Sequence, residues 1–434
     1  MLRMIIRTVC VAALLLPSAT IVSAQAWLGD RARREGPGFR VGNLELHPGI
    51  GVEGGYDSNV FMSDEPVGSA IFRITPHFDV STLGEQRRED GGEERTQAPK
   101  VQFRAGVAAP IYVFLEDQAR NDVGINGDLE LSILPDGPVT FSVYDRFSRR
   151  VRPFTESGAG NDFGRITNVA GGNLRFQTRG GVFSANLGYD LTWQFFENDA
   201  FDFGNALIHR AEAGANFRFL PHTTLFYDFT ADFTNYQDPS VLRVSDNVRV
   251  RNRVGLNGAL TPRLSALVAV GYGAVLVDDP TLRDFDTVIA QAELRLKLSP
   301  TTKLTFGYER DFLGSVIGNW RTRDRGYLNF QWLLGGSFLL GFDSWVGYLK
   351  FGTIVDSSGA PITVDGSTER SDVMVNLSLF AEYRFTDWLA LNATVGYTGD
   401  FTDFEYDRLI GMSPVVDPAD FSKFQAWLGV RVFY

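Results

Sequence analysis

Between Val182 and Phe195 the chain reads VFSANLGYDLTWQF. Phe183, Ala185, Leu187, Tyr189, Leu191, Trp193 and Phe195 fall on one face of an extended strand, and Ser184, Asn186, Gly188, Asp190, Thr192 and Gln194 on the other. Seven successive alternations leave no coherent apolar stripe on a helix, whose repeat is about 3.6 residues. Such a stretch needs an apolar medium against one face and water against the other.

The pattern recurs along the chain. Phe72, Ile74, Phe78 and Val80 alternate with Arg73, Thr75, His77 and Asp79, and Val123, Ile125, Leu129, Leu131 and Ile133 with Asn126, Asp128, Glu130 and Ser132. Ala290 to Leu298 and Val373 to Phe385 behave the same way, whereas 139–151 and 336–350 are less regular and their register stays open. Strands are expected at 47–56, 70–83, 100–114, 122–134, 139–151, 165–178, 182–196, 205–219, 224–236, 248–260, 264–276, 287–298, 303–313, 321–334, 336–349, 371–385, 388–398 and 423–434.

The connections alternate too. Tight turns rich in Pro, Gly or Thr occur at 134–138, 179–181, 220–223, 261–263, 299–302, 335–336 and 385–387, and longer polar loops lie between them at 152–164, 237–247, 277–287, 351–369 and 399–421. Short connections on one rim and long ones on the other describe an outer-membrane barrel. Ten residues at about 3.3 Å each, tilted about 40°, rise about 25 Å, the height of the apolar band of such barrels. The expectation is an all-β, closed, transmembrane antiparallel barrel of about 18 strands, with short periplasmic turns and long extracellular loops. A soluble propeller or double sandwich would also bury one face of each strand, but the chain shows no blade repeat near 40 to 50 residues.

The two ends fit that reading. Arg3 and Arg7 precede an apolar run from Val9 to Leu16, and Val22-Ser23-Ala24 offers a cleavage site, so 1–24 reads as a secretory signal peptide. Residues 25–46 read as a short periplasmic lead and 47–434 as the barrel, with both termini periplasmic in the outer membrane of a Gram-negative cell. Cleavage would remove Cys10, the only cysteine, leaving a chain that cannot form a disulfide. It would also leave 39 basic against 52 acidic residues, a balance that argues against nucleic acid as a partner. Beyond the signal no run of about 18 apolar residues supports a membrane helix, so lipid would be met by strands. At the other end Phe424, Ala426, Leu428, Val430, Val432 and Tyr434 share one face. A last strand that must pair with the first to remove sheet edges has no use for a polar tail, and its terminal aromatic resembles the signal read by the bacterial barrel-assembly machinery.

Eighteen strands leave an aqueous channel unless something fills it. Residues 25–46 are too few for a plug domain, whereas loops 351–369 and 399–421 are long enough to fold inward. The candidate pore-lining residues are two arginine ladders near the long-loop rim, Arg249, Arg251 and Arg253 on one strand and Arg321, Arg323 and Arg325 on another. Successive cations about 7 Å apart would favour anionic solutes. Alternatively Asp228, Asp232, Glu309 and Asp311, which parity places on the same face of neighbouring strands, neutralise them in a stiffening network. Tyr144, Phe226, Tyr236 and Tyr327 are lumenal aromatics that either contact sugar rings or fill gaps. The charged stretch 84–100 is the one long connection on the short rim, either a docking site for a periplasmic partner or a solvated loop.

No catalytic constellation stands out. His47, His77, His209 and His222 are scattered, there is no HExxH, no G-x-S-x-G and no mature cysteine nucleophile, and His77 with Asp79 is the one pair sharing a face. No ligand spacing points to a metal or to any cofactor.

The stretch GVEGGYDSNVF, 51–61, resembles the first strand of the beta-barrel porin 2 family, and FRFLPHTTLFYDF, 217–229, resembles that family's hairpin with a Pro-Thr turn. The resemblance implies a non-catalytic outer-membrane channel contributing to exopolysaccharide export, in contact with outer-membrane lipid and working with a periplasmic polysaccharide-export protein. A general diffusion porin for small solutes, or a barrel whose loops at 152–164, 351–369 and 399–421 act as adhesin or receptor, uses the same residues equally well.

Overall fold

The computed structural model describes residues 36–82, 100–116, 121–151, 164–197, 199–237, 244–356, 358–363, 365–406 and 417–434. The signal-peptide reading with Cys10, residues 25–35 of the lead, 84–99 of the charged stretch and the interior of loop 152–164 lie outside the described residues.

Eighteen strands form one antiparallel sheet. They are β1 Leu44–Asp57, β2 Ser69–Thr82, β3 Val101–Ala108 with Ile111–Phe114, β4 Asp122–Val123 with Ile125–Ile133, β5 Val139–Arg150, β6 Arg165–Gln177, β7 Phe183–Phe196, β8 Ala206–Leu220 and β9 Thr223–Tyr236. The second half comprises β10 Asn247–Ala259, β11 Leu264–Val277, β12 Phe285–Ser299, β13 Thr302–Gly314, β14 Trp320–Leu334, β15 Phe338–Phe351, β16 Ser371–Thr386, β17 Leu389–Phe401 and β18 Phe421–Phe433. Each pairs with its sequence neighbours, and β18 pairs with β1 from Gly49↔Phe433 to Asp57↔Gln425. The ring is closed and no barrel edge remains. For eighteen strands about 4.8 Å apart and tilted about 40°, the backbone cylinder is about 36 Å across, wide enough for a lumen after side chains are added.

The alternation follows sequence parity. On β18 the even positions Phe424, Leu428, Val430 and Val432 are 37–59% exposed, while Lys423, Trp427, Arg431 and Phe433 are at most 8% exposed. The exposed apolar set is the outer belt that faces lipid, and the partnered polar set faces the lumen. Strands of 13 to 16 residues, such as β17 and β16, rise about 33–40 Å at that tilt, more than the band of about 25 Å, so both rims project beyond it.

Strand edges fall within about three residues of the alternation reading. β1 starts earlier, at Leu44, because Phe39–Val41 folds back on it with Phe39 opposite Leu46. Pro48 resembles a break yet sits where the lost donor costs nothing, its carbonyl accepting the Tyr434 N–H at 3.0 Å. The two irregular segments also settle. Tyr144 lies opposite Glu130 and Gly171, and Trp345 opposite Tyr327 and Asn376, so both aromatics point inward. Asp145 points outward, where Asn168 donates to it at 3.0 Å. Large rings inside and a carboxylate outside are what blurred the pattern there.

Candidate functional site

The β9–β10 and β13–β14 hairpins bring both arginine ladders and all four predicted carboxylates onto the lumenal wall. Arg249 and Asp232 are directly opposite, as are Arg253 and Asp228, Arg323 and Asp311, and Arg325 and Glu309. Asp232, 1% exposed, takes Arg210 at 2.7 Å, Arg249 at 3.4 Å and Arg251 at 3.8 Å. Arg253 reaches Asp228 at 2.8 Å, and Glu309 takes Arg323 at 3.4 Å and also Arg325. The ladders are not independent. Arg251 reaches Asp311 on β13 at 3.1 Å, with its guanidinium 4.3 Å from the Phe312 ring centre. The chord is open because β11 presents Gly271 and Gly273 where it would otherwise block the way. Arg321 lies farther toward the long-loop rim, 5.9 Å from the Phe351 ring. The geometry is that of the neutralising network, in which Arg210, Arg249, Arg251 and Arg253 are matched by Asp228, Asp232 and Asp311, and Arg323 and Arg325 by Glu309.

The lumenal aromatics serve this wall. Tyr144 donates to Asp190 at 3.3 Å, Tyr236 to the Ser315 carbonyl at 3.4 Å and Tyr327 to Glu293 at 2.5 Å, while Phe226 is buried. His77 and Asp79 share the lumenal face near the short-turn rim, where His77 covers Gly49 and Asp79 lies opposite His47. His47 in turn pairs with Glu45 at 3.2 Å. No group of three or more His, Cys, Asp or Glu with metal-binding proximity occurs among the described residues.

Two features escape a parity reading. The first is the seam between β18 and β1. Arg73 pairs with Glu53 at 2.6 Å and lies 4.6 Å from the Trp427 ring; Asn392 donates to the same Glu53 at 2.9 Å, and Lys423 pairs with Asp57 at 2.8 Å. Val60 and Phe61, from the β1–β2 connection, pack on Trp427 and Ile71.

The second is a cap. Phe196, Phe201 and Phe203 at the β7–β8 connection, Val316 and Ile317 at β13–β14, Phe351, Ile354 and Ile362 at β15–β16, and Phe404, Tyr406 and Ala419 at β17–β18 form one buried cluster. The β7–β8 and β17–β18 connections stand on opposite sides of an eighteen-strand ring, so this core bridges the long-loop mouth. Beside it Arg370, 1% exposed, bonds Asp372 at 2.7–3.0 Å, Asp400 at 3.5 Å and the Tyr406 hydroxyl at 3.0 Å. Its guanidinium also stacks near Phe351 and Phe404. Both loops long enough to fold inward thus contribute. The sequence signal was the presence of Ile354, Ile362, Phe404 and Tyr406 in otherwise polar loops.

Together the closed sheet, the lipid-facing belt and the polar lumen define a porin-like β-barrel of the outer membrane. Residues 122–319 match the family described as "Putative beta-barrel porin 2", so the family resemblance is shown over that stretch, which contains the 217–229 hairpin. No curated protein sequence matches. Among solved structures the chain is similar to the outer membrane protein OpdK from Pseudomonas aeruginosa (9% identity, 90% of this chain and 99% of that one, TM-score 0.48). It is also similar to OccAB4 from Acinetobacter baumannii (10%, 90% and 98%, 0.45) and to the siderophore receptor PirA from P. aeruginosa (13%, 90% and 80%, 0.43). At these scores the likenesses bear on no residue or activity of this chain.

Proposed function

We propose that this barrel is a capped outer-membrane channel for export of an exopolysaccharide, without catalysis of its own. In this reading the short turns and both termini face the periplasm and the capped long-loop mouth faces outward. The observation that carries it is the loop core across the mouth of a wide, polar lumen. A diffusion porin works with its mouth open, whereas an exporter benefits from a cover that parts only when polymer arrives from within. The ion-paired wall then acts as a stiff, hydrated guide, lined by the two ladders and their carboxylates. The family's association with polysaccharide export agrees, and a periplasmic polysaccharide-export protein is the natural partner at the short-turn rim. Deletion of the gene tests the reading. Loss of surface polysaccharide with intracellular synthesis intact supports export, altered small-solute uptake alone supports a porin, and loss of attachment alone supports an adhesin.

A further inference from the structure

The sector from β6 to β13 has, toward the short turns, a charge pattern unlike the rest of the chain. The stretches from Asn173 to Tyr189, Ala213 to Tyr227, Val254 to Val277 and Leu294 to Tyr308 contain no Asp or Glu, and their charged residues are all Arg or Lys, in a protein of net charge −11. They comprise the short-turn ends of β6 to β10, β12 and β13 and the whole of β11. Lys297 and Lys303 even stand directly opposite one another at the short-turn rim, a like-charge pairing that sheets ordinarily avoid.

Within this sector is a cavity of about 360 Å³. Arg175 on β6 and Arg218 on β8 flank it, and Asn216, Asn257 and Gln177 supply amides that can donate and accept. Phe226 contributes an apolar ring to the lining. The two arginines differ from those of the mid-barrel wall. Arg175 donates to the Gln177 amide oxygen at 2.8 Å and Arg218 to the Gly180 carbonyl, both neutral acceptors, and among the described residues neither has a carboxylate partner. Both side chains are exposed to the lumen, and each guanidinium has five donors, so most of them face water. Paired guanidinia fit carboxylates bidentately, while amides and hydroxyls such as Ser184 and Thr224 fit sugar hydroxyls.

We propose that this pocket binds an anionic carbohydrate, a uronate-bearing segment of glycan, at the short-turn mouth of the channel. The inference rests on the export reading for the source of the glycan and narrows it to an acidic polymer. This acid-free sector would draw the polymer in, and the Asp- and Glu-braced section beyond would hold it less tightly, favouring onward movement.

The test is calorimetric titration of the purified full barrel in detergent with tetragalacturonic acid, with maltotetraose and with inorganic sulfate. The acidic tetramer is expected to bind more tightly than either, and R175Q/R218Q to weaken it by about tenfold or more while maltotetraose is unaffected. N216A/N257A should weaken the tetramer but leave sulfate unchanged, and an unboiled gel shift confirms that each variant remains a barrel. Equal affinity for acidic and neutral tetramers, sulfate matching the glycan, no binding, or a folded R175Q/R218Q barrel that binds normally would each overturn the proposal. The export reading has a separate readout. A deletion strain that loses a neutral polysaccharide would keep export and sink this pocket, and a strain that secretes normally would do the reverse.

Discussion

Replacing Arg370 by methionine isolates what holds the cap shut. The substitution keeps most of the apolar contact with Phe351 and Phe404 but leaves Asp372 and Asp400, 2% and 1% exposed, without the cation that bridges them. Breaking a buried ion pair by removing one partner costs about 3–5 kcal/mol, because the remaining charge stays desolvated. The strands are held by their ladders, so that cost falls mainly on the closed arrangement of the loops, where Arg370 also binds Tyr406. At about 1.4 kcal/mol per tenfold, the open-to-closed ratio should rise by a factor of about a hundred to a few thousand. Single-channel recording in planar bilayers reads this directly: wild type should dwell mostly in a low-conductance state and R370M in a high-conductance one. R370M/D372N/D400N, which removes the unpaired charges as well, should recover much of the closed time. A folded R370M barrel with wild-type dwell times would refute the assignment of Arg370 as the latch.

Asp232 gives a complementary prediction for the wall. D232N removes the carboxylate shared by Arg210, Arg249 and Arg251, so the reversal potential in a salt gradient should shift toward greater anion selectivity. At the seam, a Cβ on Gly55 would stand 2.6 Å from the Trp427 ring and 2.5 Å from the Ala426 carbonyl, whereas one on Gly51 would meet its nearest neighbour at 3.7 Å. G55V should therefore lower barrel stability by about 1–3 kcal/mol in urea titration and G51A much less. In the β15–β16 loop, the Ser358 hydroxyl and the Ala360 and Ser358 amides hold Asp356 below its ordinary pKa of 3.8, and the Ser367 amide and Thr363 hydroxyl do the same for Asp365. A depressed carboxyl contributes stability above its unfolded pKa and loses it as pH falls through the folded value, so amide protection at Ser358, Ala360 and Ser367 should hold from pH 7 to about 4 and fall only below that.

Most of the architecture was legible because lipid imposes a period of two on every strand and closure leaves few alternatives for an even set of them. Parity alone placed Arg249, Arg251, Arg253, Arg323 and Arg325 with Asp228, Asp232, Glu309 and Asp311 on one wall. It could not show that Arg251 crosses to β13, since that contact depends on curvature and on the glycines of β11 rather than on strand neighbours. Nor could it find the cap, where Phe201, Ile317, Ile354 and Phe404 come together from four connections with no periodicity to align them. At Tyr144 and Asp145 the code itself lapses, because the inner wall accepts a ring and the outer face holds a carboxylate bonded to Asn168.

The central claim is a closed barrel with lipid outside and a polar lumen inside, and an accessibility scan along β18 tests it most directly. Nitroxide labels at single cysteines from 423 to 432, in barrels reconstituted into lipid vesicles, should show high oxygen accessibility at 424, 426, 428, 430 and 432 and low values at the positions between. A flat profile, or a period near 3.6, would contradict the account.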